Sequence, residues 1–376
     1  GGGGDEGKST SIKPTSSSSN LKPTSSSSSK GISSSSSSNG SSIPNPPSNC
    51  LAYTARHYLP PHLQRLPPML YTFPGSGNTW CRLLIEHATG VYTGSIYNDN
   101  TLTGSLPGEA SCNKEVAVIK IHPNTHPFES LRTGEYFSPG DMCEKGGIKK
   151  LKRAVLLLRD PFDSIWSEYQ RRITQSHVGG VDKLAFDWPR WQANAAQLSH
   201  LYLELWEKHH AGIEKYFPSE DYLYIKFEDL RDKNRRIHTL RTVTQFLALD
   251  TSDQKGILGT QKGNLGPSDG QLQCAFSLAD LSAVHRAAGG GHMGKEEAYT
   301  PQLVCRMWAL FGTHASRFGY SIWRNTTCTR GDSTPIPMIN VGAKGQYDAK
   351  WVLEGQPLVD WGGHSTTPST PPPLSL

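Results

Sequence analysis

The apolar positions fall into two regimes. Between residues 68 and 317, short apolar runs alternate with longer stretches in which apolar residues recur every three or four positions. Residues 68–73, Pro-Met-Leu-Tyr-Thr-Phe, form a short apolar and aromatic run that predicts a buried strand. It is halted by Pro74-Gly75-Ser76-Gly77-Asn78, and the periodic stretch 79–88 that follows predicts a helix. Residues 116–121 predict a second strand and 154–158 a third, followed at once by Asp160-Pro161 and a helix to about Thr174. Proline just inside a helix start is tolerated, because that amide has no intrahelical partner anyway. A long helical pattern covers 188–215, residues 222–227 predict a fourth strand, and helices are expected over 232–247, 278–286 and 301–317. Strands alternating with helices imply right-handed crossovers and a parallel sheet covered on both faces, so the fold class is α/β. No internal repeat is visible.

The ends of the chain follow another pattern. Residues 1–49 are mostly Ser, Gly, Pro and Asn, with serine tracts at 16–19, 25–29 and 33–38. Such a segment cannot bury enough apolar surface to offset the entropy of ordering it and reads as a disordered stalk or linker. Residues 331–376 read as a flexible tail rich in Pro and Thr. The remaining stretch, 50–330, suits one large domain.

Charge changes this picture little. The net charge of +5 comes without a long basic run, so an anionic ligand is favoured weakly and nucleic acid is not implied. No run of eighteen or more apolar residues occurs, and nothing at the start reads as a secretory signal, so the chain as given reads as soluble. Its first residue is Gly1 and not Met, which suggests a fragment or processed form with room for a signal or membrane anchor upstream. The seven cysteines, at 50, 81, 112, 143, 274, 305 and 328, show no metal-ligand spacing, so zinc is not expected. Cys81, on a predicted buried helix, is the expected free thiol; Cys112 with Cys143, and Cys274 with Cys305 or Cys328, are the candidate bridges. Two sequons, at Asn39 and Asn325, fit the lumen of the secretory pathway.

The residues between the first strand and helix carry the first chemical signal. In Phe73-Pro74-Gly75-Ser76-Gly77-Asn78-Thr79-Trp80 the glycines allow a sharp turn and close backbone approach, while the helix start presents unpaired amides suited to a phosphate. Taken alone, the stretch is equally well a plain strand-to-helix loop. It is not a Walker A motif, which needs Gly-Lys-Ser/Thr where Asn78-Thr79-Trp80 stands.

The spelling is similar to the 5′-phosphosulfate loop of sulfotransferases that use 3′-phosphoadenosine 5′-phosphosulfate (PAPS), which reads Pro-Lys-Ser-Gly-Thr-Thr-Trp. It looks most like the sulfotransferase domain of WSC-domain-containing sulfotransferases, although no cysteine-rich WSC module stands in this sequence. The resemblance implies a P-loop-like sheet, and that Ser76, Gly77, Asn78 and Thr79 contact the 5′-phosphate while Trp80 packs on the adenine. Gly75 falls where the family has a lysine, so the cation at the leaving phosphate must come from elsewhere or be absent.

Three further segments match in order. Val155 to Ser167 is similar to the family's 3′-phosphate motif, which puts Arg159 and, eight residues on, Ser167 at that phosphate; the bland alternative for Arg159 is a surface salt bridge. Lys120-Ile121-His122 resembles the Lys-x-His segment with the catalytic base, which makes His122 the base and Lys120 the group that neutralises developing charge. Tyr224-Ile225-Lys226-Phe227-Glu228-Asp229-Leu230 resembles the strand end whose aromatic contacts the adenine, putting Phe227 there in place of a tyrosine; a core phenylalanine is the alternative. The family's Arg-Lys-Gly turn has no clear counterpart, and Arg286 and Lys295 are the candidates. The resemblance spans residues 68 to 250 and fades beyond.

These readings predict transfer of a sulfuryl group from PAPS, as co-substrate and without a metal, to an acceptor hydroxyl. The acceptor expected is a glycan, a glycoprotein or a small hydroxyl compound, and the compartment is the Golgi lumen, with the cytoplasm as alternative. The rivals are a nucleotide-binding module that has lost catalysis and a P-loop small-molecule kinase.

Overall fold

The computed structural model describes residues 47–122, 141–177, 179–247, 267–281 and 292–329. Five strands form one sheet: β1 (Met69–Thr72), β2 (Gly94–Ser95), β3 (Ile119–Ile121), β4 (Ala154–Leu158) and β5 (Tyr222–Lys226). Their spatial order is β2-β3-β1-β4-β5 and every neighbouring pair is parallel. The principal helices are α1 (Asn78–Thr89), α2 (Pro161–Thr174), α3 (Trp188–Glu204), α4 (Arg236–Leu247), α5 (Asp269–Leu281) and α6 (Pro301–Arg317). None of the described helices is long and apolar enough to cross a membrane.

The alternation of side chains along a strand decides which helices cover which face. Met69 and Tyr71 of β1 join Ile119, Ile121, Leu156 and Leu158 in a core closed by residues of α2, α3 and α6, among them Phe162, Trp191 and Phe311. Leu70 points the other way, with Val118, Val155, Leu157 and Ile225, onto α1, α4 and α5. Both faces are therefore buried, and an α/β parallel sheet with helices on both sides is what the structure has. Because β1 lies between β3 and β4, the chain turns to one side of β1 and then to the other. The loops leaving β1, β3 and β4 thus open side by side at the C-terminal edge of the sheet, where open α/β sheets leave a crevice.

Most elements lie close to where the sequence puts them, and the departures have local causes. The strand expected over 116–121 keeps ladder pairing only at Ile119–Ile121, where it lies beside Met69–Tyr71 of β1, with the two-residue β2 on its other side. The long helix expected over 188–215 is α3, a π-helical turn at Leu205–His210 and a short helix at Ala211–Tyr216 in succession; the wide turn lets Trp206, His209 and His210 all be buried. Phe227 does not end a strand but opens a short helix, Phe227–Arg231. α5 begins nine residues before the helix expected over 278–286, of which residues 282–286 lie outside the described residues. Arg286 lies outside the described residues, as do nearly all of the stalk 1–49 and the tail 331–376.

The cysteine pairing corrects one expectation. Cys112 is bonded to Cys143 and Cys81 is a buried free thiol, but Cys274 pairs with Cys50, and Cys305 with Cys328. The reason is packing: Cys274, Leu278 and Cys50 form a small cluster where α5 backs onto the turn Ser48–Tyr53. Burial pushes the Cys81 thiol up to about 12. Non-reducing peptide mapping should return these three pairs, and iodoacetamide should label Cys81 only after the chain is unfolded; labelling of Cys81 in the native protein contradicts this placement.

Candidate active site

A cavity of about 730 Å³ opens at the crevice above β1 and β3, lined by residues of the loop after β1, the end of β3, α2 and the start of the 227–231 helix. Of the residues singled out from the sequence, Gly75, Gly77, Asn78, Thr79, Trp80, Lys120, His122, Arg159, Ser167 and Phe227 line it. Ser76 does not: it is buried, and its hydroxyl lies 3.2 Å from that of Ser164. Lys295 is not among the lining residues; its ammonium pairs with Asp163, which in turn lies 3.8 Å from Arg159.

The loop after β1 is shaped by its two glycines. Gly77, at φ 87°, caps α1 with no side chain, so the first turn of that helix faces the cavity without a side-chain cap. A Cβ on Gly77 would meet the Phe227 ring at 2.3 Å, and one on Gly75, at φ +84°, would meet the Ser164 carbonyl oxygen at 2.4 Å. The lysine of the related motif therefore cannot stand at 75 in this backbone. The space it would need is taken by α2.

Arg159 comes in from the end of β4. Its Nη1 donates to the Gly75 carbonyl at 2.8 Å, its Nε is buried without a partner among the described residues, and its guanidinium lies 4.6 Å over the Phe227 ring. Phe227 and Trp80 meet edge to face at 5.6 Å, and Trp80 donates its indole N–H to Asp280 at 3.1 Å. Aromatic faces and a guanidinium thus cluster at one end of the cavity.

The other end is polar and charged. His122 Nδ1 donates to the Thr72 carbonyl at 2.8 Å, which fixes the tautomer and makes Nε2 the basic nitrogen. Burial, reinforced by the Lys120 ammonium, pushes its pKa down to about 3, so the ring is neutral at physiological pH. Lys120 is itself buried; burial lowers its pKa, opposed by Glu109, whose carboxylate accepts from Nζ at 3.2 Å. Glu109 also pairs with the fully buried Arg82, whose Nε donates to Thr93 Oγ1 at 2.8 Å. Tyr97 stands between them, 5.1 Å below the Lys120 ammonium and 5.5 Å from the His122 ring.

α2 supplies residues that sequence reading missed. Glu168, one turn beyond Ser164, is buried and accepts from Arg171 Nε at 2.8 Å and Nη2 at 2.7 Å and from Arg172 Nε at 2.8 Å. Burial alone would raise its pKa, but the two guanidiniums hold it below the usual carboxylate value. His177 and Asp99, 3.0 Å apart, complete this rim, and Arg231 lies at the aromatic end. Helical spacing from Ser167 to Arg171 was a readable signal for the first arginine; Tyr97, Asp99 and Glu109 sit in a loop with none.

Gly75→Ala should destabilise the fold by about 2 kcal/mol, from the positive φ together with the Ser164 contact. Gly104→Ala, where nothing lies within 4 Å, is the control with little effect in the same urea titration. A Gly75 variant as stable as the control would rule out the close approach. Stability should also depend on pH. His122, His209 and His210 have folded pKa values near 3 against an ordinary 6.5, so the unfolded chain takes up protons that the folded one refuses. Stability is then fullest above pH 6.5 and falls as pH drops toward 3, which denaturant midpoints measured from pH 7 to 4 will check.

Comparison with known proteins agrees with the motifs. A WSCD family member of Drosophila melanogaster is 29% identical over 201 residues, 51% of this chain and 54% of its own length. One from Aedes aegypti is 29% identical over 192 residues, covering 49% of this chain and 51% of that protein. A third, from Drosophila pseudoobscura pseudoobscura, is 37% identical over 111 residues, 29% of each. The chain thus spans about half the length of the first two relatives. No family model matches. A crystal structure of mouse sulfotransferase SULT7A1 complexed with PAP aligns with 67% of this chain and 85% of its own, at 15% identity and a TM-score of 0.32. Over about half of its length the chain is thus similar to members of the WSCD family.

Proposed function

We propose that this protein transfers the sulfuryl group of PAPS to a hydroxyl of a carbohydrate or glycoprotein. One observation carries the reading: a neutral imidazole of fixed tautomer shares a single cavity with a side-chain-free helix start and an arginine from the adjacent strand. In this reading the 5′-phosphosulfate lies over the start of α1 and the adenine against Trp80 and Phe227. The 3′-phosphate meets Arg159 and Ser167.

The acceptor oxygen attacks sulfur as His122 Nε2 takes the hydroxyl proton. The sulfur–oxygen bond to the 5′-phosphate breaks, and its electron pair stays on the phosphate oxygen. Lys120, kept near by Glu109, faces the charge that moves between the two oxygens. Positioning and fixed charge supply the acceleration, as in phosphoryl transfer. Arg171 and Arg172, both lining the cavity, favour an acceptor that itself bears negative charge. Three disulfides favour an oxidising compartment, in line with the secretory lumen.

Gly75 keeps a second reading in view, in which the domain binds nucleotide and has no transferase activity. Radiolabelled PAPS offered with a panel of neutral and acidic glycans separates the two: label on a glycan supports transfer, while tight 3′,5′-ADP binding with no transfer to any acceptor leaves only binding. His122→Ala should lower turnover by about a hundredfold or more with 3′,5′-ADP affinity nearly intact. Arg159→Ala should weaken that affinity in calorimetry. Unchanged turnover in the first or unchanged affinity in the second removes that residue from the assignment.

A further inference from the structure

Two motifs read from the sequence play no part in the cavity, the sequons at Asn39 and Asn325. The first lies outside the described residues, whereas the second stands in a turn of defined geometry. A tripeptide of this kind arises often by chance, so its surroundings must decide what it does.

Trp323, Arg324 and Asn325 form a single turn of tight helix soon after α6. The Trp323 ring is held at 5.7 Å from that of Tyr299 and 6.0 Å from that of Phe162, with the Lys295 ammonium 4.7 Å from its centre. Arg324 reaches Glu296 at 3.4 Å, and Cys328 is bonded to Cys305 of α6. These ties fix the turn from both ends. Thr326 faces inward, because its backbone N–H and its hydroxyl both donate to the Trp323 carbonyl, at 3.0 and 2.5 Å. Its two neighbours, Asn325 and Thr327, are left exposed. Asn325 has φ 51°, a left-handed conformation that asparagine tolerates better than most residues. The carboxamide and the hydroxyl two residues on, the pair by which a sequon is read, thus both stand at the surface.

We propose that Asn325 is an N-glycosylation site, which takes an oligosaccharide from a lipid-linked diphosphate donor in the secretory lumen. Three disulfides favour that compartment. Nδ2 of Asn325 forms the new bond to the anomeric carbon of the sugar. The bond from that carbon to oxygen breaks, its electron pair leaves with the lipid diphosphate, and the amide gives up one proton. None of residues 322–328 lines the cavity, so a glycan here leaves the cavity open. The proposal stands apart from the sulfotransferase reading and does not need it.

The test uses the full chain with Asn39→Gln, which removes the other sequon, led into the secretory pathway of cultured animal cells by a cleavable signal peptide. Protein from the cells and the medium together is digested with peptide N-glycosidase in heavy-oxygen water. Mobility should shift by one glycan, and the peptide that holds Asn325 should return with a labelled aspartate in its place. Adding Thr327→Ala should abolish the shift and Thr327→Ser should keep it; both leave Asn325 and its left-handed backbone as they are. Because the glycan is added as the chain enters the lumen, the readout does not depend on how well a variant folds. An unlabelled Asn325 peptide overturns the site, as does a shift that survives Thr327→Ala, and either result leaves the sulfotransferase reading standing.

Discussion

The closeness of two backbone segments governs this site. At Gly75 the loop after β1 and the second turn of α2 approach until no β-carbon fits between them. That contact turns the Gly75 carbonyl toward Arg159, sets the Ser76 hydroxyl against that of Ser164, and brings Glu168 to the cavity wall. Arg171 and Arg172 follow one turn later, held by the same carboxylate. A single glycine therefore keeps the uncapped start of α1 and the cationic rim in one frame, and the frame is backbone against backbone, which side-chain motion cannot loosen.

A second layer of order comes from buried charge. Arg82 reaches from α1 to Glu109, Glu109 to Lys120, and on the far side Thr93 links Arg82 to Glu86 and so to Arg56 near the surface. Isolated charges at such depth would be driven to neutrality, and breaking one member typically costs about 3–5 kcal/mol. Here each carboxylate is shared between cations or capped by threonine, which suits a lysine that must stay in place beside an imidazole. The hydrophobic sheet supplies the platform, and this network locates the polar end of the site upon it.

The fold was legible because periodicity is a local property. β4, the helix that Pro161 opens and the helix that Pro301 opens have the bounds that alternation, capping and proline placement predict, and Asp160 and Thr300 cap the latter two with their side chains. Phe227 was misjudged by one residue, because an apolar run does not say where a strand becomes a helix. The pairing of Cys274 with Cys50 was not readable either: it depends on α5 meeting a turn 224 positions earlier, a fact of tertiary packing. In the site, the segments with a fixed order, from Gly75 to Trp80, Lys120 with His122, Arg159 with Ser167, and Phe227, do meet at one cavity. Glu109, Tyr97 and Asp99 escaped because they lie in an irregular stretch whose only organisation is the partner each finds across the fold.

The bond between Cys112 and Cys143 encloses, along the sequence, β3 with Lys120 and the His122 that follows it. That stretch is thus held by the sheet and by a covalent link that exists only after oxidation. A newly made chain with its thiols still reduced lacks that link and holds this stretch by the sheet, the Lys120–Glu109 pair and the His122–Thr72 hydrogen bond. Maturation of this part of the cavity wall is in that way tied to the redox history of the polypeptide, and a chain held in a reducing environment differs from an oxidised one beside the strand that carries Lys120.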